Sequence, residues 1–284
     1  MTAAHPPSPV LLISGASRGI GAATALAFGQ AGWRVAVAAR SLHDGQALPH
    51  QLRRPDGRLL AGSLSGTVRA LQDAGAQALA CAMDLLDPAS LDATVDQVLA
   101  HFGRVDLLIN NAVYQDPEMN ARLADLSGEA LQRTFEGNVA APLRLVQRLL
   151  PVFKAQGGGL VINVSSGAGA ADSPLPPDAG GWSLAYGTSK AALARMSGFI
   201  NLEHGADGVR AFTVNPGLVS TEAVTATLGD SGLLEQRYGA MSPQRIAKGL
   251  LWLATAPEAR ELSRGPGMVD LQPLIRSQAL GAKP

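Results

Sequence analysis

The sequence predicts a single α/β domain in which a doubly wound parallel sheet of the Rossmann type lies between two layers of helices. Short apolar runs are continuous rather than alternating, as expected of strands that are covered on both faces. Longer helical patterns separate these runs, and that alternation predicts parallel strands joined by right-handed crossovers. No linker or repeat divides the 284 residues, of which 46% are hydrophobic, so residues 1–284 are expected to share one core.

The apolar runs and the helical patterns between them place the elements along the chain. The predicted strands are residues 10–14, 34–39, 76–82, 105–110, 160–164 and 209–214, with a last short strand near residues 268–271. The predicted helices are residues 20–31, 88–102, 126–155 and 184–203, and one more begins near Leu64.

Four segments interrupt this alternation. Residues 1–9 are rich in proline and read as a flexible N-terminus. Residues 41–63 combine prolines, glycines and a basic cluster, which favours a surface insert. Residues 167–183, rich in Gly, Ala and Pro, are expected to form an active-site loop, and residues 222–240 are expected to form a substrate lid.

Composition excludes several classes of partner. The 23 basic and 23 acidic residues cancel, which argues against nucleic acid or an anionic membrane as the main partner. There is no apolar run long enough for a transmembrane helix and no signal-peptide pattern, so a soluble cytoplasmic protein is expected.

The single cysteine, Cys81, excludes an internal disulfide and lies in an apolar run typical of a buried structural thiol. The five histidines share no metal-ligand spacing, so no metal site is predicted.

A glycine-rich turn follows the first predicted strand and opens the first helix. Gly15 permits the sharp turn, Gly19 lets a pyrophosphate approach the backbone, and Gly21 allows close packing of helix on strand. The N–H groups and the positive potential of the helix N-terminus favour phosphate. The turn therefore predicts a dinucleotide site.

The end of the second predicted strand bears on which dinucleotide binds. An acidic residue there would accept hydrogen bonds from the adenosine ribose. This chain instead has Arg40, whose guanidinium suits a 2′-phosphate, and Arg18 in the glycine turn is placed to form the other side of a clamp. NADP(H) is therefore favoured, with NAD(H) as the alternative.

Tyr186 and Lys190 lie four residues apart in a predicted helix, so they share one face. An ammonium beside a phenol favours the phenolate and is expected to lower the Tyr186 pKa. Such a phenol can exchange a proton with a substrate oxygen. The spacing alone is weak evidence, because it arises often by chance.

Together these pieces resemble the short-chain dehydrogenase/reductase family over residues 11–221. The family's further motifs are matched by Asp84 after the third strand, Asn110-Asn111-Ala112-Val113, Asn138, Ser166 and Asn215-Pro216-Gly217. The resemblance implies four catalytic residues, which are Asn138, Ser166, Tyr186 and Lys190. The resemblance, the glycine turn and the end of the second strand also imply a cofactor site, to which Tyr186 and Lys190 contribute as well. Its other members are Gly15, Ser17, Arg18, Gly19, Ile20, Gly21, Arg40, Asp84, Leu85, Asn111, Ala112, Pro216, Gly217, Val219 and Thr221.

The resemblance implies an NADP-dependent alcohol dehydrogenase or carbonyl reductase. Tyr186 would be the general acid, Lys190 would lower its pKa and bind the nicotinamide ribose, and Ser166 would polarise the carbonyl. Asn138 would hold a water linking Lys190 to solvent, which requires its helix to open locally. The alternatives are an NAD-dependent dehydrogenase of the same fold and a non-catalytic dinucleotide-binding regulator. A small, apolar alcohol or carbonyl substrate is favoured, and so is a homodimer or homotetramer formed by helices 126–155 and 184–203.

Two departures from the family pattern concern the substrate. Val113 stands where the family usually has Gly, so the nicotinamide-side pocket is expected to be narrowed or reshaped. Ser166 and Tyr186 lie further apart than is usual, and Trp182 is in the extra length. Thr221 is equally well explained as the N-cap of the next helix.

Overall fold

The computed structural model describes residues 8–46, 48, 56–228, 231–263 and 267–278. Within them, seven parallel strands form one sheet in the order β3-β2-β1-β4-β5-β6-β7. The strands are β1 Val10–Ser14, β2 Arg34–Ala39, β3 Ala78–Ala82, β4 Leu107–Asn110, β5 Gly159–Val164, β6 Val209–Asn215 and β7 Val269–Asp270. The doubly wound parallel sheet is therefore confirmed.

Helices cover both faces of this sheet. Those before β5 are α1 Gly19–Gln30, α2 Leu64–Asp73, α3 Pro88–Phe102, α4 Gly128–Phe135 and α5 Ala141–Ala155. Those after it are α6 Leu184–His204, α7 Glu222–Leu228, α8 Ser231–Tyr238, α9 Pro243–Thr255, α10 Ala259–Leu262 and α11 Leu271–Ser277. Within the described residues, none of these helices has both the length and the apolar character that a membrane span needs.

Alternate residues of each strand point into two separate apolar layers. Leu11 and Ile13 join a layer with side chains of α1, α2, α9 and α11, whereas Val10 and Leu12 join one with α3, α5 and α6. All four are fully buried or nearly so. This two-sided burial explains why the strand sequences are continuously apolar. Cys81 is buried in the second layer, as predicted.

The predicted helix over residues 126–155 is wrong as one continuous α-helix. It begins later, because the Ser127 side chain accepts a hydrogen bond from Ala130 N (3.1 Å) and caps α4. It is also interrupted by a π-helical turn at Glu136–Ala140. A Cβ at Gly137 would collide with Tyr114, so a glycine at this turn admits the Tyr114 side chain.

The strand ends differ from their predicted positions by one or two residues. β4 begins at Leu107 rather than at residue 105, and β7 ends at Asp270, because Leu271 starts α11. The predicted insert and lid are described only in part, because residues 47, 49–55 and 229–230 lie outside the described residues, as do residues 1–7 of the predicted N-terminus. The predicted loop, residues 167–183, is described in full. Those three roles stay predictions.

Candidate active site

Motif residues come directly after the carboxyl ends of neighbouring parallel strands. They are Gly15, Arg40, Asp84, Asn111, Ser166 and Pro216. The strand order reverses between β1 and β4, and in doubly wound sheets the crevice at such a point binds the ligand. The topology thus brings residues that are far apart in sequence to one edge of the sheet.

The turn after β1 admits glycine alone at its key positions. Gly15 and Gly19 have positive φ angles of 70° and 58°. A Cβ at Gly15 would lie 2.8 Å from the Ala112 Cα, and a Cβ at Gly21 would collide with the Gly15 carbonyl oxygen. The glycines therefore let the turn pack directly against the segment after β4 and against the start of α1, whose N-terminus is suited to a phosphate.

Asn111 and Ser14 hold this turn in place. The Asn111 Nδ2 donates to the carbonyl oxygens of Ser14 (2.9 Å) and Gly15 (3.2 Å). In return, the Ser14 Oγ accepts from the backbone N–H groups of Asn111 and Ala112, both at 3.0 Å. The residue after β4 is thus a support of the turn as well as a wall of the site.

A groove of about 300 Å³ extends from the turn across the ends of β1 to β4. The predicted cofactor residues that line it are Gly15, Ser17, Arg18, Gly19, Ile20, Gly21, Arg40, Asp84, Leu85, Asn111, Ala112 and Thr221. Lining residues that the motifs did not indicate include Ser41, Met83, Tyr114, Gln115, Glu222 and Ala223. Each of these lies next to, or within three residues of, a predicted one, so sequence proximity was the only available signal.

Two arginines face this groove. The pKa of the Arg18 guanidinium lies below its ordinary value, chiefly because of burial. The carboxylate of Glu222 acts to raise this pKa, and the charge of Arg40 acts to lower it. Arg18 Nη2 donates to the Gly62 carbonyl oxygen (3.4 Å), while its buried Nε has no hydrogen-bond partner in the described part of the chain. A buried unpaired donor beside a second cation is an environment that an anion would stabilise.

The structure brings Ser166, Tyr186 and Lys190 together. Ser183 caps α6 by accepting from Tyr186 N (3.3 Å), and one turn later the Lys190 Nζ lies 6.0 Å from the centroid of the tyrosine ring. The Ser166 side chain acts on the Tyr186 phenol and lowers its pKa through hydrogen bonding, and Ser166 Oγ also accepts from Ala168 N (3.2 Å). Ser165 is engaged elsewhere, since its Oγ donates to the Lys190 carbonyl oxygen (2.9 Å).

The expectation that Lys190 lowers the Tyr186 pKa is not met in this structure. Burial raises the pKa of Tyr186, and only the hydrogen bond with Ser166 opposes that rise. Burial also lowers the pKa of Lys190 to about 8. The reason is geometric: Lys190 is buried and donates to the Val164 carbonyl oxygen (2.9 Å) rather than to the phenol. Desolvation therefore dominates at both groups.

The lowered Lys190 pKa predicts a pH-dependent contribution to stability. Between pH 8 and 10.5 the unfolded chain keeps the lysine proton and the folded protein loses it. Unfolding then takes up a proton, so stability rises with pH across this window. Relative to Lys190→Met, the wild-type free energy of unfolding should rise by about 2–3 kcal/mol. Urea denaturation of both proteins at several pH values measures this, and parallel curves would contradict it.

Asn138 lies buried in the π-helical turn, so the local opening that its predicted role required is present. Its Oδ1 accepts from Tyr114 N (2.7 Å), and its Nδ2 donates to the Tyr114 carbonyl oxygen (3.4 Å) and to Ser189 Oγ (3.3 Å). The side chain thus connects the β4 end to α6 through Ser189. Its predicted hold on a water stays a prediction.

Not every predicted residue reaches the groove. Pro216, Gly217 and Val219 follow β6 but are not part of its lining. The predicted catalytic residues are not part of it either; they are Asn138, Ser166, Tyr186 and Lys190. Thr221 does line it, with its Cγ2 3.4 Å from the position of a Cβ on Gly19, and its Oγ1 accepts from Val224 N (3.3 Å) at the start of α7. Both predictions made for Thr221, contact with the site and N-cap, thus agree with its position.

The long loop before α6 comes back towards Ser166. The outer edge of the Trp182 indole lies 3.7 Å from where a Cβ on Gly167 would be. Ser173 Oγ accepts from Trp182 N (2.7 Å) and closes the loop. Val113, after β4, is 37% exposed and lines the groove. An aromatic side chain thus lies beside the residue that follows Ser166, and an aliphatic side chain lines the groove.

An ion pair joins the segment before α4 to the long loop before α6. Arg122, in the segment before α4, donates through Nη2 to Asp178 of the long loop at 2.8 Å. Both side chains are more than half exposed. This hydrogen bond lowers the pKa of Asp178. We call this contact the rim ion pair.

Comparison with known proteins identifies the family. The family model described as short chain dehydrogenase matches residues 9–65 and 61–230, most of the chain. The chain belongs to the short-chain dehydrogenase/reductase family. The matched segments meet near residues 61–65, at the end of the predicted insert. The resemblance inferred from the motifs is thereby confirmed.

Relatives in this family act on different substrates. Cyclohexanol dehydrogenase of Rhodococcus sp. is 30% identical over 241 residues, which cover 81% of this chain and 84% of that protein. L-sorbose reductase of Gluconobacter frateurii, solved with NADPH and L-sorbose, matches with a TM-score of 0.70 and 27% identity over 89% of this chain and 92% of that one. A short chain dehydrogenase of Mycobacterium paratuberculosis bound to NAD matches with a TM-score of 0.73 and 25% identity over 92% and 95% of the two chains.

Proposed function

We propose that this protein is an NADP(H)-dependent oxidoreductase that interconverts a secondary alcohol and a ketone, or an alcohol and an aldehyde. The observation that carries the proposal is the meeting of Ser166, Tyr186 and Lys190 at the edge of the sheet where the glycine turn opens. A protein that only bound a dinucleotide would need no proton donor there. This favours an enzyme over a non-catalytic regulator.

The groove fits a nicotinamide dinucleotide. Its turn has no room for a Cβ at Gly15 or Gly21, and Arg18, whose buried Nε has no hydrogen-bond partner among the described residues, lines it. When bound, the nicotinamide would supply or accept the hydride. Pro216, Gly217 and Val219 stay predicted cofactor residues.

The chain's own residues would manage the proton. In the reducing direction, Tyr186 holds a proton on its phenol oxygen, and its raised pKa keeps that proton in place at neutral pH until a substrate oxygen develops charge. The Ser166 hydroxyl, which bonds the same phenol, would donate to the carbonyl oxygen and orient it. The buried ammonium of Lys190 would stabilise negative charge as it forms.

The proposed preference for NADP(H) rests on Arg18 and Arg40. Both line the groove next to the end of β2, where an NAD-specific site would carry an acid. The similar structures do not decide the matter, because one was solved with NADPH and another with NAD. NAD(H) is therefore the alternative.

The substrate is proposed to be small and apolar, and the protein to be a homodimer or homotetramer. Val113 lines the groove and Trp182 lies beside Gly167, and such apolar side chains suit an apolar carbonyl compound. On α5 and α6, Leu143, Phe199 and Leu202 are exposed by 41%, 56% and 80%. Such apolar faces favour self-association through these two helices.

A substrate screen tests the proposal. NADPH and NADH are supplied side by side with cyclic ketones, linear ketones, aldehydes and a ketose, and the loss of reduced-nicotinamide absorbance is followed. Turnover of at least one apolar carbonyl compound, faster with NADPH, is expected. Binding of cofactor without turnover of any carbonyl or alcohol would instead support the non-catalytic regulator.

A further inference from the structure

Asp116 is a buried carboxylate that no motif indicated. Its Oδ2 accepts from the Tyr114 hydroxyl (3.1 Å) and from Arg133 Nε (2.9 Å), and its Oδ1 accepts from Glu118 N (2.9 Å). The side chain is only 1% exposed. A charge that is so well buried requires several donors to offset its desolvation, and these three provide them.

The balance of these effects keeps Asp116 charged. Burial acts to raise its pKa, but the hydrogen bonds from Arg133, the Glu118 backbone and Tyr114 outweigh it, and the pKa lies below the ordinary value. Correspondingly, burial and the Asp116 charge raise the pKa of the Tyr114 phenol, so Tyr114 stays a donor. The carboxylate is thus a permanent acceptor between two elements.

One of these elements carries the π-helical turn. Arg133 lies in the last turn of α4, three residues before that turn begins. Glu118, whose backbone Asp116 also binds, accepts through its carboxylate from Ser127 N (3.0 Å) at the cap of α4. Asp116 therefore fixes α4 at its end directly and at its start through Glu118.

The other element is the segment after β4. Tyr114 binds Asn138 through both its backbone N–H and its carbonyl oxygen, and its Cβ fills the space that Gly137 leaves. Asn138 in turn donates to Ser189 Oγ (3.3 Å), and that hydroxyl donates to the Tyr186 carbonyl oxygen (2.9 Å). A continuous chain of contacts thus runs from Asp116 to the helix that carries the proposed proton donor.

We propose that Asp116 is a positioning residue, which holds Tyr114 and Arg133 together and so sets the π-helical turn that places Asn138 against α6. This inference rests on the proposed function for its catalytic consequence. Its structural consequence, the link from Asp116 to the π-helical turn, is independent of any activity. Asp116 itself is not among the residues that line the groove.

The matched control is another aspartate–arginine pair. Arg144 of α5 donates to both oxygens of Asp92 on α3, at 2.9 and 2.6 Å, outside the lining of the groove. Asp92→Asn and Asp116→Asn make the same chemical change in a pair that anchors a helix. In Asp116→Asn the amide presents N–H groups to a site with three donors, so at least one hydrogen bond is lost.

Hydrogen exchange followed by mass spectrometry tests the structural link without any substrate. Asp116→Asn should speed amide exchange at residues 133–140 and 186–190 by about tenfold or more, as expected when a local opening becomes easier. Asp92→Asn should leave those two segments unchanged. If both variants leave them unchanged, or both speed them equally, the proposal is overturned.

Kinetics tests the catalytic consequence. Asp116→Asn should lower kcat about tenfold with a smaller change in cofactor affinity, because small misplacements of a catalytic group are costly. Adding Asp116→Asn to Asn138→Ala should produce little further loss if Asp116 acts through Asn138. Fully multiplicative losses would overturn the proposal. If the wild-type protein shows no turnover at all, the proposed function falls, and hydrogen exchange alone decides the role of Asp116.

Tyr114→Phe covers the case in which Asp116→Asn does not fold. It keeps the ring that packs on Gly137 and removes only the hydroxyl that Asp116 accepts from. About threefold faster exchange at residues 133–140 is expected, in the same direction as the larger change. An unchanged exchange rate at this segment would count against the proposal.

Discussion

Tyr186→Phe should abolish turnover and leave cofactor affinity unchanged. The substitution keeps the ring and removes the hydroxyl on which Ser166 acts and which is proposed to give its proton to a substrate oxygen. General acid catalysis commonly contributes 10²–10⁴-fold, so we expect kcat to fall by about 10³-fold or more. Steady-state rates with the best substrate of the screen measure the loss, and fluorescence titration with NADPH measures the affinity.

Thr255→Ala is the control, because it removes an exposed side-chain hydroxyl at the end of α9, outside both the groove lining and the predicted lid. Its rate should stay close to that of the wild type. A Tyr186→Phe variant that keeps near wild-type turnover would show that the proton comes from another group.

Arg40→Asp should reverse the preference between the two cofactors. A guanidinium at this place would form charge-assisted hydrogen bonds with a 2′-phosphate, each worth roughly twice a neutral one. An aspartate would repel that phosphate and accept hydrogen bonds from the free ribose hydroxyls. The ratio of kcat/KM for NADPH to that for NADH should therefore fall by about 100-fold.

Arg58→Asp makes the same charge reversal at an exposed arginine that lies outside the groove lining and contacts Asp56. It should leave the cofactor ratio as it is in the wild type. If the ratio is also unchanged in Arg40→Asp, Arg40 does not contact the 2′-phosphate, and the NAD-dependent alternative gains support.

The fold was predictable because its strands are buried on both faces. Each of the six main apolar runs forms a strand. A short, continuously apolar run between helices is buried on both sides when it lies in a parallel sheet covered by helices on both faces. The break in the helix over residues 126–155 was not predictable. It depends on Tyr114, which is distant in sequence, filling the space over Gly137.

The groove was predictable in its outline, and its electrostatics were not. Motifs placed Gly15, Asn111 and Arg40 correctly along one edge, because the ends of parallel strands meet there. The local spacing of Tyr186 and Lys190 suggested a charge acting on a phenol. Burial decides the direction of both pKa shifts instead, and burial is a tertiary effect. Asp116 gave no signal, because it belongs to no motif.

The rim ion pair between Arg122 and Asp178 has a consequence for how two segments of the fold respond to the solvent. An exposed pair of this kind contributes about 0.2–1 kcal/mol, so it ties the segment before α4 to the loop before α6 only weakly. Salt weakens it further, because exposed charges are screened over about 8 Å at physiological ionic strength. The surrounding electrolyte therefore acts on this tie, while the buried charge of Lys190 is screened much less.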